Sequence, residues 1–226
     1  MTGASPAMLT WLRTAAGRLK RLLWARRRQI LIRKDLTAPE PTSHRSRLDV
    51  ERVGDANLEE LRGFLAHQQG KSAARLKLRY AQGAGHIGLL ARQEGRIVGH
   101  VWVAPHATPP ARNHPHVTRF GLPLKPDEGY MYDMYLAPEV RGGGRGTHFL
   151  AAAHLALRAA GLRGLHGYVD AQNLPARLLY RTLGWRDGGA VISTRVLRLL
   201  MITDGRVFVR NFSWNATPVD YRPLFG

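Results

Sequence analysis

The sequence predicts an α/β domain, a mixed sheet flanked by helices, on three observations. A strand-like aromatic run at residues 130–136 feeds the glycine-rich turn Arg141-Gly-Gly-Gly-Arg-Gly-Thr147, and that turn feeds an alanine-rich, helix-like run at residues 147–160. Beyond it the pattern alternates, with a strand at 165–169, a helix at 174–183 and strands near 191–200 and 206–212. Ahead of it, two apolar runs at 87–92 and 97–104 flank Gln93-Glu-Gly-Arg96, a polar turn of hairpin length.

The remaining elements follow in chain order. Residues 1–34 show a helical stripe. Met8, Trp11, Leu12, Ala15, Leu19, Leu22 and Leu23 fall within an arc of roughly 120° at 100° per residue, with Arg13, Lys20, Arg21, Arg27 and Arg28 outside it. This predicts a basic amphipathic N-terminal helix. Residues 37–44, with Pro39 and Pro41, read as a linker, so the arm and linker occupy 1–46 and the main domain 47–226. A first strand at 48–53 precedes a helix capped by Asp55 or Asn57 and running through Leu58, Leu61, Phe64 and Leu65. A further helix is predicted at 72–80, ended by Gly83-Ala-Gly85. Residues 105–129 are proline-rich, hold His106, His114 and His116, and are too broken for regular structure. Long loops in compact domains are usually functional, and this one is expected to be a flap on the substrate side.

A strand, a glycine turn and a helix in succession aim several main-chain N–H groups and the positive end of the helix dipole at one place, which suits phosphate or pyrophosphate. The turn lacks the lysine of a Walker A loop and the glycine spacing of a dinucleotide fingerprint. It does match Arg/Gln-x-x-Gly-x-Gly/Ala, as Arg141, Gly144 and Gly146. Downstream, Asn173, Ala176, Leu179, Tyr180, Leu183 and Gly184 match Asn-x-x-Ala-x-x-Leu-Tyr-x-x-Leu-Gly-Phe, with Trp185 for the phenylalanine. In both segments the chain resembles the GNAT superfamily of acyl-CoA-dependent N-acyltransferases. The resemblance spans roughly residues 48–200 and implies a helix-helix-hairpin prelude and a mostly antiparallel mixed sheet. The run Tyr-Met-Tyr-Asp-Met-Tyr-Leu-Ala-Pro-Glu-Val-Arg-Gly is similar to a subgroup linked to bacterial envelope and polysaccharide pathways.

The resemblance also assigns roles. Pyrophosphate of acetyl-CoA or another acyl-CoA falls to the amides of Gly142, Gly143, Gly144, Arg145, Gly146 and Thr147, with Arg141 and Arg145 adding positive charge. The backbone of Met134, Tyr135 and Leu136 would pair with the pantetheine arm and polarise the thioester carbonyl. Tyr180 would protonate the departing sulfur, since a phenol of ordinary pKa ~10 is protonated at neutral pH. Asn173 caps its helix and is a candidate pantetheine contact. The general base stays open. Asp133, a carboxylate inside an aromatic strand, is one candidate, as base, substrate anchor or partner of a neighbouring tyrosine, and burial would raise its pKa. The position where several family members carry a glutamate is Tyr168, with Asp170 on the opposite face. The flap histidines or a water relay are the other options. No metal site is expected, because His114 and His116 lack a third ligand.

Composition bounds the rest. The 226 residues, 44% hydrophobic, are enough for a sizeable core, and no apolar run approaches the ~18 residues that cross a bilayer. With no cysteine there is no disulfide and no thiolate nucleophile. Of the net charge of +18, half sits in the first 34 residues, which hold nine Arg or Lys and no acid. Such asymmetry points to an acidic partner surface. An anionic membrane contacted through residues 8–34 is the first expectation, with packing on protein, nucleic acid and an organellar presequence as rivals. The partners expected are acyl-CoA and an amine acceptor, with homodimerisation left open, in the cytoplasm or on the inner face of the cell membrane. A non-catalytic acyl-CoA sensor and a basic nucleic-acid-binding protein are the competing classes; keeping Tyr180 argues against the first, and the glycine turn against the second.

Overall fold

The computed structural model describes residues 24–40, 48–83, 85–109, 112–196, 199–202, 207–211 and 220–223. Its strands are β1 (Trp24–Asp35), β2 (Asp49–Arg52), β3 (Ile87–Gln93), β4 (Arg96–Pro105), β5 (Glu128–Leu136), β6 (Gly164–Asp170), β7 (Arg186–Val196), β8 (Leu199–Ile202), β9 (Val207–Asn211) and β10 (Asp220–Pro223). The helices are α1 (Leu58–Gln69), α2 (Lys71–Gly83), α3 (Pro115–Arg119), α4 (Arg145–Ala159) and α5 (Leu174–Thr182). All ten strands join one sheet in the order β10-β9-β8-β7-β1-β6-β5-β4-β3-β2. Among the described residues its ladders are antiparallel except β5 with β6, so the mixed, mostly antiparallel sheet is borne out.

Strand alternation splits the core in two. In β4, Val101 and Val103 face one way, packing with Phe149, Leu150, Ala153 and Leu157 of α4. Trp102 and Ala104 face the other, with Leu61 and Leu65 of α1 and Ala74 and Leu78 of α2. Each fully buried leucine contributes about 1.5–3 kcal/mol relative to exposure, and these two layers sandwich the sheet. The proline-rich segment is more ordered than expected. His114 caps α3 through its ring nitrogen, Pro115 opens the helix where a missing N–H costs nothing, and Phe120 and Leu122 are buried under it.

The N-terminal helix expected to reach Lys34 is corrected from residue 24 onward. Residues 24–35 form a strand, and the Met8 to Leu23 stripe lies outside the described residues. The period there is two: Ile30 and Ile32 enter the α4–α5 layer while Leu31 enters the other. Flanked by β6 and β7, β1 satisfies its main chain on both sides, which no surface helix would do for those neighbours.

Two of its cations are held by carboxylates, Arg33 at the surface and Lys34 in the interior. Arg33 donates to Glu128 at 2.6 Å, and His166 contacts the same carboxylate at 2.9 Å, at the junction of β1, β6 and β5. Lys34 is 2% exposed; its Nζ donates to the Leu183 carbonyl at 2.7 Å and pairs with Glu40 at 2.9 Å, and Glu40 in turn reaches His154 at 3.1 Å. Further on, the single strand expected at 191–200 is two, β7 and β8, and β10 was not foreseen. Among the described residues no helix is long and apolar enough to cross a membrane.

Candidate active site

The glycine turn builds an anion nest. Gly142, Gly143 and Gly144 have φ of 92°, 55° and 75°, three successive left-handed residues. Any other residue would cost about 1–2 kcal/mol at each. A Cβ at Gly142 or Gly144 would meet nothing within 4 Å, so glycine is required here by conformation and not by crowding. Arg145 N–H bonds back to Gly142 and His148 N–H to Gly144. Among the described residues, the amides of Gly143, Gly144, Gly146 and Thr147 meet no protein acceptor, and they stand at the positive end of α4. The arginines are placed differently from each other. Arg141 turns back, its Nε donating to the Leu136 carbonyl at 2.8 Å and its guanidinium 5.6 Å over the Tyr135 ring, so it ties the turn to β5. The Arg145 guanidinium leans over Gly143.

Beside the nest the sheet opens. β5 and β6 pair only from Glu128 to Tyr130 against Gly164 to His166. Past Tyr130, β5 has a strand partner on one side only among the described residues, and Met134, Tyr135 and Leu136 border the resulting wedge. A bulge causes the divergence: Asp133 and Met134 together oppose Val101, and Asp133 takes φ of 54°.

Tyr180 comes from the other side. Asn173 Oδ1 accepts the Ala176 N–H at 3.2 Å, capping α5 as expected. A Cβ on Gly146 would lie 3.5 Å from Leu179, so the nest and the tyrosine's helix are in contact. Trp185, whose N–H bonds to the Tyr180 carbonyl, packs edge-on against the phenol with centroids 5.3 Å apart. Burial pushes the Tyr180 phenol up to about 12, and its hydroxyl meets no hydrogen-bond partner among the described residues.

On the opposite face of the sheet lies a cleft of about 580 Å³ under the flap. Asp133 stands in its wall, exposed and not buried as expected, and its partner is not a tyrosine: the carboxylate pairs with the buried Lys77, which also donates to Gln69. Burial pulls the Lys77 ammonium below its ordinary value, and Asp133 opposes the shift. Three flap-side histidines are not interchangeable. His106 is exposed and outside the cleft. His114 accepts the His116 N–H on Nδ1, which leaves the ring proton on Nε2, and burial with nearby positive charge lowers it to about 3. His116 meets the hydroxyls of Tyr130, at 2.9 Å, and Tyr168. Its burial likewise holds it well below an ordinary histidine. Tyr168 thus fills the position where a family glutamate was sought; Asp170, two residues on in β6, lies on the same face as Tyr168 and not on the opposite one as expected, and it accepts Gln172 N–H in the turn before α5. Lys77, Arg119 and Arg195 were missed in the sequence. Lys77 carried a signal, a charge within the α2 stripe of Ala74, Leu78 and Ala81; the arginines did not.

A mixed sheet whose parallel pair splays beside a glycine-built anion nest defines a class of nucleotide-cofactor acyltransferase folds. The chain belongs to the acetyltransferase (GNAT) family, whose model matches residues 55–185. It is 33% identical over 111 residues to an uncharacterized N-acetyltransferase, YycN, of Bacillus subtilis, covering 49% of this chain and 62% of that protein. It is 33% identical over 113 residues to a mycothiol acetyltransferase of Pseudarthrobacter chlorophenolicus, covering 50% and 31%. The chain thus spans less than two thirds of the curated relatives it matches. A GNAT acetyltransferase of Colwellia psychrerythraea shares the fold, with a TM-score of 0.53 at 11% identity over 75% of this chain and 55% of that one. So does the glucosamine N-acetyltransferase region of a fungal multi-domain β-N-acetylglucosaminidase, with a TM-score of 0.53 at 18% identity over 79% and 22%.

Proposed function

We propose that the chain is an acetyl-CoA-dependent N-acetyltransferase that moves the acetyl group to a primary amine by direct attack within a ternary complex. The observation that carries this is the contact of two parts: four unpartnered amides at the start of α4, and a protonated, unpartnered phenol on the helix that touches them. The residues fit the co-substrate, which supplies the activated acyl group. The amides of Gly143, Gly144, Gly146 and Thr147 hold its diphosphate, and the one-sided stretch of β5 beyond Tyr130 offers main-chain groups to the pantetheine arm. The amine nitrogen attacks the thioester carbon, the C–S bond breaks, and Tyr180 gives its proton to the departing sulfur. With its pKa pushed up to about 12, the phenol is always protonated at working pH and recovers its proton readily.

The cleft on the other face suits the acceptor. Asp133 is engaged by Lys77, so its role here is to fix one wall. Work close to an anionic membrane rests on the stripe at residues 8–23 with Arg13, Arg18, Lys20 and Arg21; Lys34 does not add to it, being internal, and Arg33 is paired with Glu128. The envelope-pathway subgroup rests on the residue 130–142 run alone.

The test is free-thiol release from acetyl-CoA with a panel of amines, alongside calorimetry of CoA. Tyr180→Phe should lower kcat by roughly two orders of magnitude with CoA affinity unchanged. Absence of CoA binding by the folded chain would overturn the assignment, and binding without turnover by any amine would make the chain a sensor.

A further inference from the structure

The two helices that meet at the candidate site are tied together by one carboxylate. Glu40 lies just past β1, in the stretch that reads as a linker, yet its side chain is only 11% exposed and each of its oxygens has a separate partner. Oε1 pairs with Lys34 Nζ at 2.9 Å, and that ammonium donates at 2.7 Å to the carbonyl of Leu183, the residue that closes α5. Oε2 accepts the Nδ1–H of His154, on α4, at 3.1 Å. Burial works against the charge on Glu40, but His154 and Lys34 outweigh it and hold the carboxyl below its ordinary value, so it is ionised at neutral pH. Both branches end at Tyr180. Along the main chain, Leu183 N–H and Trp185 N–H both bond to the Tyr180 carbonyl, at 3.1 and 3.0 Å, so the turn that Lys34 holds is the turn that carries the phenol. A cation suits that place, since the last carbonyls of a helix are its negative pole. Asn173 fastens the other end, which leaves the nine-residue α5 pinned at both termini. Through side chains, the buried His154 ring packs on the buried Trp185 with centroids 5.7 Å apart, and Trp185 packs on Tyr180 at 5.3 Å.

Resting on Tyr180 as the proton donor of the transferase reading, we propose that Glu40 is a positioning residue for the reaction: with Lys34 and His154 it sets the phenol of α5 against the anion nest of α4. A phenol gives its proton to sulfur only over hydrogen-bond distance, and a displacement on the order of 1 Å costs up to about a hundredfold in rate. Nest and phenol belong to separate helices that touch where Gly146 faces Leu179, and a single apolar contact of that kind lets one helix slide or roll on the other. A carboxylate that grips α4 through an imidazole and α5 through an ammonium removes this freedom. The Tyr180 hydroxyl has no hydrogen bond of its own among the described residues, so the aim of the ring depends on the turn that Lys34 holds and on the ring of Trp185. The effect of Glu40 on the reaction therefore passes through Tyr180.

The experiment is a double-mutant cycle in the full chain. Glu40→Gln should lower kcat for thiol release from acetyl-CoA about tenfold or more, with CoA affinity by calorimetry held within about twofold. In a Tyr180→Phe background the same substitution should change kcat by less than about twofold, because the group that Glu40 aims is gone. His154→Leu, which leaves the Lys34–Glu40 pair in place, should behave alike, and it carries the test if Glu40→Gln does not fold. Equal losses in the two backgrounds would make the network structural only and overturn the proposal, as would full activity of the folded variants. A second readout needs no turnover. In the chain labelled with meta-fluorotyrosine, the Tyr180 fluorine resonance, assigned by its absence from Tyr180→Phe, should move in Glu40→Gln and in His154→Leu, while that of Tyr132, in the other core layer and assigned likewise, stays in place. If CoA binds but no amine releases thiol, the transferase reading falls and this spectrum still decides the positioning: a Tyr180 resonance unmoved in a folded variant overturns it.

Discussion

Mild acid should unfold this protein, and the reason lies in its buried histidines. Burial lowers His86 to about 4, His100 to about 3 and His114 to about 3, against an ordinary value of 6.5. Their hydrogen bonds agree with neutrality: His86 Nε2 meets the Arg112 carbonyl at 3.1 Å and so donates, which makes Nδ1 the acceptor of the Tyr132 hydroxyl at 2.7 Å. A base whose folded pKa is depressed stabilises the fold fully above 6.5. That stability is lost as pH falls below 6.5, because the unfolded chain then binds protons that the folded chain refuses. Between about pH 6 and 4 the three sites give a slope of about 4 kcal/mol per pH unit. At pH 5 each costs about 2 kcal/mol, on the order of 5–6 kcal/mol together, which rivals the entire stability of an ordinary domain. The lowered carboxylates, Glu40 and Glu128 among them, add their loss only below about 4.5, outside this window. Urea unfolding followed by tryptophan fluorescence at pH 7 and pH 5 measures the effect, with the midpoint falling steeply and the m-value unchanged. In His100→Gln the slope should shrink by one proton. A midpoint that is equal at the two pH values would refute the reasoning.

Three further outcomes are expected. Gly144→Ala, at φ of 75°, should weaken CoA binding about tenfold or more by calorimetry and cost about 1–2 kcal/mol in stability, since an alanine there is strained although unobstructed. Lys34→Met removes a buried cation from both Glu40 and the Leu183 carbonyl; breaking such a pair should cost about 3–5 kcal/mol in urea unfolding and lower kcat by loosening the end of α5 that orients Tyr180. The pH profile of kcat/KM should rise with the pKa of whichever amine is used and show no enzyme group near 6.5, because the cleft histidines titrate far lower; a fixed limb at 6–7 for amines of different basicity would contradict this.

The chemistry-bearing segments were legible because their geometry is local. Consecutive left-handed residues demand glycine, and Asn173, Ala176, Leu179 and Tyr180 are set by the turn of one helix and its cap. The strand–turn–helix order at residues 128–159 needed no distant partner to be recognised. The cleft was only half legible, since Asp133 stood out as a charge in a strand, yet its partner Lys77 lies 56 positions away on α2.

What the sequence by itself determined is the anion nest, the phenol beside it and the layering of helices on a mixed sheet, all written in short-range spacing. Tertiary structure alone decided that the basic stretch at 24–35 is a strand inserted between β6 and β7, and that Lys34 is internal. A run with some pattern at both periods takes the conformation that pairs its main chain, and the two strand edges that offered such pairing lie more than a hundred residues downstream. Tertiary structure likewise gathered Arg119 and Arg195 around one cavity, for charge in a cleft is a sum over elements that meet only once the sheet has formed.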